Sequence, residues 1–510
     1  MTGSLDVPTT MSVAAILAES ALRHPDRVAV IDDVGGRTTF AQLWQHTRAY
    51  AGALRDLDVE KGTAVAMMIP NTVEFPKTYY AILALGAIVV PVHPLLKPAE
   101  IQHVLDTSGA RLLIADVSCL AAASASAPEQ LVQVGGTAVD DLATLSTSTP
   151  AVAGYLPMHP LAPAAMLFTS GTSGRSKAAV LSHLNLVEHA HVSLLDSLDV
   201  RADDIMCAAL PLSHVFGQST VMNTAFRRGA ALQLVRRFHA DDTLEILIDN
   251  GVTIFAGVPT MLIALLDGAR RNPLRPPLRY VISGGSSLPV ASLEAFVEVF
   301  GAPVHEGYGL SETSPTVTFN HTGAPNRAGT IGTSIWGMEV RIAVPDIADR
   351  IELLQDGSDG EVVVRGQNLF LGYHDDPAAT AAAVVDGWFR TGDVGRRSSD
   401  GYITIIDRTK EMILRGGYNV YPREIEEVLA RMPGVASVAV FGVADERNGE
   451  EVMAAVVPLA GAGLTADSVV RYARERIAAH KYPRRVVLVH ELPLGPTGKV
   501  LKRELNRMYS

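Results

Sequence analysis

The stretch Phe168 to His183, FTSGTSGRSKAAVLSH, decides how this chain reads. It continues an apolar, strand-like PAAMLF into a short loop of four hydroxyl residues (Thr169, Ser170, Thr172, Ser173), two glycines (Gly171, Gly174) and Lys177. Such a loop suits phosphate. Glycines let backbone N–H groups approach an anion, hydroxyls donate further hydrogen bonds, and the lysine adds a compact charge. It is not a Walker A loop, because GxxxxGK[ST] needs glycine at 176, where Ser176 stands, nor is it a GxSxG elbow. Read alone, it also fits an ordinary Ser/Gly-rich surface loop.

Downstream segments add to it. His305 to Val317, HEGYGLSETSPTV, reads as a Gly-X-Gly turn around Tyr308, with Glu312 three residues after Gly309. Tyr308 offers a flat face for a purine, and Glu312 offers hard oxygen ligands to a magnesium ion bridging nucleotide phosphates. The plain alternative is a tight turn with a solvated glutamate. Gly387 to Gly395, GWFRTGDVG, places Asp393 on a turn, where it can accept from both ribose hydroxyls or serve as an Asx-type turn residue. Asp407 to Leu429 (DRTKEMILRGGYNVYPREIEEVL) and Leu492 to Leu505 (LPLGPTGKVLKREL) follow, the latter presenting Lys499 on a Pro/Gly-rich loop.

The surroundings are those of a large globular protein. A chain of 510 residues with 48% hydrophobic residues suggests about three folding units. Through the first 330 residues, apolar runs such as AVAMMI (Ala64 to Ile69) alternate with helix-period segments such as Phe75 to Leu85, which predicts α/β layers with buried strands. From about 335 to 406, short strands (EVRIAV, GEVVVRG, YITII) predict a small β-rich unit, and Ala121 to Ala127 reads as a loop or a plain surface helix. Residues 409 to 510 carry 15 Lys/Arg against 12 Asp/Glu, the reverse of the acidic remainder, and Arg471 to Arg507 alone is net +7. There Pro422 starts a helix that presents Ile425, Val428, Leu429 and Met432 on one face, opposite Glu424 and Glu427. This reads as a compact α+β module of about 100 residues.

A net charge of -11 lacks the footprint of a nucleic-acid binder. The two cysteines, Cys119 and Cys207, form no CxxC, which predicts a reducing compartment without zinc knuckles or a disulfide framework. With no Lys or Arg before Arg23 and a plain RMYS tail, the expected location is cytoplasmic. The run Tyr79 to Val92 is broken by Gly86 and Pro91 and reads as core rather than a membrane span.

The five segments, in this order, resemble the adenylate-forming superfamily of acyl- and aryl-CoA synthetases, luciferases and peptide-synthetase adenylation domains. The resemblance covers essentially the whole chain and is closest to fatty-acid and aryl-acid CoA ligases. It implies an N-terminal adenylation domain, 1–408, and a mobile C-terminal lid, 409–510. Thr169 to Lys177, including Ser170, Gly171, Thr172, Ser173 and Gly174, would hold the β- and γ-phosphates of ATP, and Glu312 would bind Mg2+. Tyr308 with Gly284 and Gly285 of ISGGSSLP would form the adenine slot, flanked by Glu306, Gly307, Gly309 and Thr313. Asp393 and Arg408 would take the ribose. Lys499 would bridge the substrate carboxylate and the α-phosphate, Lys410 would be the hinge, and Gly416-Gly417 would wall a pantetheine tunnel for CoA. His214 and Phe216 of LPLSHVFGQ match the gate to an acyl pocket whose lining would include Val258 and Val317, with room left by Gly307 and Gly309.

Two positions depart from the family's TGxPKG loop: Ser176 replaces the proline and Ala178 the glycine, which bears on loop rigidity rather than charge. The implied activity is ligation of a hydrophobic monocarboxylic acid, fatty or arylacrylic, to CoA. Relatives also load carrier-protein thiols, form amides or activate nitrite, and a non-catalytic nucleotide binder is a further alternative. A homodimer is left open.

Overall fold

The computed structural model describes residues 11–169, 176–345, 347–408, 411–415, 418–445, 448–479, 481–495 and 498–510. Ser170 to Gly174, Lys410, Gly416 and Gly417 lie outside them, as does the side chain of Arg408.

Four sheets organise these residues. A nine-stranded sheet runs in the order Thr333–Ser334, Thr316–Phe319, Val304–Gly309, Tyr280–Ser283, Ile254–Gly257, Ile205–Ala208, Ala231–Leu234, Val28–Ile31, Arg37–Thr39. Its centre is parallel and its edges are antiparallel. A seven-stranded sheet holds Gly372–Tyr373, Lys177–Ser182, Pro163–Thr169, Ile88–Pro91, Ala64–Met68, Leu112–Asp116 and Gln130–Val134, in that order. A five-stranded antiparallel sheet is built from Met338–Ala343, Asp359–Gly366, Trp388–Arg397, Val384–Val385 and Ile403–Arg408. The fourth sheet and its helices use only residues from Ile413 onward, with their own buried clusters around Ile425, Leu429 and Val456 and around Phe441 and Leu505. This is the layered α/β architecture with a β-rich unit and a small α+β unit that the sequence predicts.

The main core sits where helices are apolar on every side. In Glu74–Ala84 every residue from Thr78 to Ala84 is buried, so the helix is enclosed rather than amphipathic. Its tyrosines keep their hydroxyls paired: Tyr80 donates to Asn223 Oδ1 at 2.8 Å, and Asn223 Nδ2 donates to the Tyr79 hydroxyl. The helix stops at Gly86, whose φ of +68° lets the chain turn into the parallel strand Ile88–Pro91. The run Tyr79 to Val92 is therefore core, and among the described residues no helix is long and apolar enough to cross a membrane. Of the two options for Ala121 to Ala127, the helix holds, over Leu120–Ala125.

Two local expectations need correction. Gly307-Tyr308-Gly309 is not a turn but the end of strand Val304–Gly309, because Thr316–Phe319 folds back and pairs with it. Asp393 lies within strand Trp388–Arg397, again not on a turn. In Pro422–Ala430, Glu427 is half-buried, and its Oε2 accepts from Val290 N at 3.3 Å, at the start of helix Val290–Phe300.

Candidate active site

The C-terminal ends of the parallel strands open into one cavity of about 1860 Å³, walled by both large sheets, the five-stranded sheet and the C-terminal unit. Open α/β sheets place ligands at such strand ends.

One end is cationic and acidic at once. Thr169 closes strand Pro163–Thr169 and Lys177 opens Lys177–Ser182, so the hairpin presents both at the cavity. Lys177 Nζ stands 5.1 Å from the centroid of the Tyr373 ring and 4.0 Å from Asp376 Oδ2. The Tyr373 hydroxyl donates to Glu312 Oε1 at 2.9 Å. Glu312 is only 6% exposed, and its backbone oxygen accepts from Phe370 N at 2.9 Å. Burial and the neighbouring Glu312 carboxylate raise the Tyr373 hydroxyl's pKa far above its ordinary value, so it remains a donor. Thr313, beside Glu312, has no exposed surface; its hydroxyl accepts from Leu310 N and donates to Pro315 O, holding the short 3-10 turn rather than facing the cavity.

The middle of the cavity carries Tyr308 and Asp393. In the strand pairing, Glu361 faces Val394 and Val363 faces Arg390, so Val362 alone opposes Thr391, Gly392 and Asp393. This bulge pushes Asp393 to the cavity wall. Its carboxylate is 2% exposed and accepts from the Tyr308 hydroxyl. The Arg408 backbone pairs with that of Asp393. Glu306, two residues before Tyr308, is buried and does not line the cavity. Its Oε1 accepts from Leu288 N, and burial pushes its pKa up to about 7 despite the nearby Arg423.

The wall where the sequence predicts an acyl pocket is lined by Phe216, Ile282, Gly284, Gly307 and Phe319. A Cβ on Gly284 would stand 3.1 Å from the Phe216 ring, and one on Gly307 would stand 2.8 Å from the Phe319 ring. Gly309 leaves no room for an acyl chain, since its Cβ would fall 1.7 Å from Pro315 O; glycine is needed there for backbone contact. Val317 has no exposed surface, and Val258 packs behind Gly285 and Gly498, so neither lines the cavity. His214 is half-buried and accepts from Phe216 N at 3.3 Å through Nδ1, and its pKa is held down to about 4 by desolvation, then by the charge of Lys499 and by His93. Its ring is therefore neutral at neutral pH.

Lys499 enters this cavity from the C-terminal unit. A bridge between Leu494 and Val500 and a bond from Gly495 N to Lys499 O close its loop, and the Thr260 hydroxyl docks it by donating to Gly498 O at 2.9 Å. Lys499 Cε reaches the Gly285 wall, 3.4 Å from where a Cβ would stand. Behind the loop, Lys502 is paired with Glu411 at 3.1 Å and Glu426 at 2.9 Å.

Sequence reasoning missed Tyr373, Asp376, Lys502 and His103. The Tyr373 segment FLGYHDDP has no chemical pattern of its own; only its pairing opposite Ala179 brings it beside Lys177.

Two large mixed sheets, an antiparallel five-stranded sheet and a separate α+β unit around one cavity make up the fold of the adenylate-forming enzymes. Residues 17–374 match the family described as AMP-binding enzyme, and 424–499 match the AMP-binding enzyme C-terminal domain. A curated relative from Rhodococcus jostii, a 3-[(3aS,4S,7aS)-7a-methyl-1,5-dioxo-octahydro-1H-inden-4-yl]propanoyl:CoA ligase, is 34% identical over 98% of each chain. The long-chain-fatty-acid–CoA ligase FadD13 of Mycobacterium tuberculosis is 33% identical over 93% of each. The ATP-bound crystal structure of MatB from Rhodopseudomonas palustris superposes with a TM-score of 0.87 at 28% identity, covering 97% of this chain and 99% of that one. The chain belongs to the AMP-binding enzyme family and is an ATP-dependent, AMP-forming ligase of the acyl- and aryl-CoA ligase class.

Proposed function

We propose that the protein activates a hydrophobic monocarboxylic acid, fatty or arylacrylic, as its acyl-adenylate and transfers the acyl group to CoA. The observation that carries this is Lys499, from the C-terminal unit, in one cavity with Lys177, Glu312 and Asp393 from the larger part. A carboxylate is a poor acyl donor because oxide is a poor leaving group. A carboxylate oxygen attacks the α-phosphorus of ATP, the bond to the bridging oxygen breaks, and pyrophosphate leaves. The thiolate of CoA then attacks the acyl carbonyl and AMP departs.

The protein's part is positioning and charge stabilisation. Thr169, the loop Ser170 to Gly174 and Lys177 would hold the β- and γ-phosphates, with Tyr308 and Gly284-Gly285 against adenine and Asp393 on the ribose. Lys499 would neutralise charge between the carboxylate and the α-phosphate. Neutral His214 and Phe216 would close the acyl side. Among the described residues no three His, Cys, Asp or Glu side chains converge as a metal cage. A single buried carboxylate such as Glu312 fits Mg2+, which keeps waters and takes phosphate oxygens as its other ligands. When bound, that ion would offset phosphate charge. Residues 1–408 would act as the adenylation domain and 409–510 as a lid turning about Lys410 to bring Gly416-Gly417 to the site for CoA. A cytoplasmic location accords with two buried free cysteines. Incubation with ATP, CoA and a panel of acids, with products identified by mass, tests the proposal: AMP, pyrophosphate and an acyl-CoA are expected. AMP release without any acyl-CoA would refute CoA as acceptor.

A further inference from the structure

Helix Pro98–Ser108 lines the cavity and carries the half-buried His103. His103 Nε2 lies 2.9 Å from the backbone oxygen of Ser176. Its ring meets Phe168 edge-on, with centroids 6.1 Å apart and planes at 79°. These two contacts fall on opposite sides of the loop. Phe168 is on the strand that enters it, paired with Ala178, and Ser176 is the last residue before Lys177.

The donor is fixed by chemistry. A carbonyl oxygen only accepts, so Nε2 carries the hydrogen, and Nδ1 is left to accept from the Thr107 hydroxyl at 3.4 Å. The Ser176 carbonyl belongs to the peptide plane whose other end is the N–H of Lys177. Because that plane is rigid, holding the oxygen sets the direction in which the chain leaves the loop at Lys177. Serine at 176 leaves φ unrestrained where proline would lock it, and the bond from His103 adds a restraint at that position beside the Thr169–Lys177 strand pairing.

We propose that His103 is a positioning residue for the phosphate loop, stapling its entry at Phe168 to its exit at Ser176 and thereby aiming Lys177. This rests on reading Thr169 to Lys177 as the cradle of the ATP phosphates.

The test uses the full chain as wild type, His103→Ala, His103→Gln (whose amide nitrogen takes the place of Nε2) and His103→Ala/Ser176→Pro. In acid-dependent exchange of labelled pyrophosphate into ATP, His103→Ala should raise the ATP KM about fivefold to tenfold, as for one lost hydrogen bond. His103→Gln should restore most of it, and the added proline should recover part. Transfer from synthetic acyl-adenylate to CoA should be unchanged in all four proteins. An unchanged ATP KM in His103→Ala, equal loss in both half-reactions, or a glutamine variant no better than alanine would overturn the assignment. Trypsin provides a readout free of activity: cleavage after Arg175 should be faster in His103→Ala than in wild type or His103→Gln, and equal rates would count against the staple. A wild type with no exchange for any acid would instead sink the functional reading, leaving the trypsin comparison to decide on His103.

Discussion

The Tyr308 hydroxyl donates to Asp393 Oδ2 across 2.5 Å, joining the end of a nine-stranded-sheet strand to the bulge of the five-stranded sheet. Asp393 lines the cavity, and in the proposed site its carboxylate would accept from a ribose hydroxyl. Asp393→Ala should therefore raise the ATP KM by about 10- to 100-fold, the range for a lost hydrogen bond to a charged group, with a smaller effect on kcat. Steady-state kinetics at saturating acid checks this, and an unchanged ATP KM would remove Asp393 from the nucleotide site.

Lys499 should serve one half-reaction only. Lys499→Ala should slow adenylate formation by about 10²- to 10³-fold, as for a lost oxyanion donor, while transfer from a synthetic acyl-adenylate to CoA survives. Comparable losses in both steps would contradict its placement at the α-phosphate.

Gly307 and Gly309 should respond differently to alanine although they flank the same tyrosine. The added methyl at 307 meets the movable ring of Phe319, so Gly307→Ala should fold and shift preference toward smaller acids. At 309 it meets backbone at Pro315, so Gly309→Ala should lower the melting temperature whatever the acid. Thermal unfolding alongside an acid panel separates the two outcomes.

Glu306 should make stability fall as pH rises. Its folded pKa of about 7 exceeds the ordinary 4.5, so between those values the folded state holds more proton than the unfolded. The stabilisation is complete below pH 4.5 and lost as pH climbs through 7. Glu306→Gln, which cannot ionise, should match wild type near pH 4.5 and exceed it by up to roughly 3 kcal/mol at pH 8. Urea unfolding at both pH values measures the gap; a constant difference would argue against an uncompensated carboxylate.

Dicarboxylates should be poor substrates. In the proposed acyl pocket the described residues Phe216, Ile282, Gly307 and Phe319 include no cation, and burying a second carboxylate there without a partner costs several kcal/mol. Malonate should therefore trail a monocarboxylate of similar length by at least about 100-fold in kcat/KM. A side-by-side panel in which malonate leads would overturn this view of the pocket.

That Thr169, Lys177, Glu312, Asp393 and Lys499 are candidates for a site is legible in the sequence because each stands in a contiguous string whose chemistry is local (glycines with hydroxyls, a carboxylate after an aromatic, a lysine in a Pro/Gly turn), and all five line one cavity. The layered α/β class and the distinct C-terminal unit are legible for a similar reason, since burial periodicity and charge are properties of neighbouring residues. Which face a side chain presents is another matter. Glu306 and Tyr308 differ by two positions in one string, yet Glu306 is buried against the backbone of Leu288 while Tyr308 lines the cavity, a difference that nothing local in the string marks. Val258 and Val317 carry no local sign that they sit behind the wall rather than on it. Tyr373 reaches Glu312 from 61 positions away, and His103 reaches Ser176 from 73. Those meetings depend on strand order and register, which the whole chain settles together when distant segments compete for the same buried surface; no segment encodes them alone.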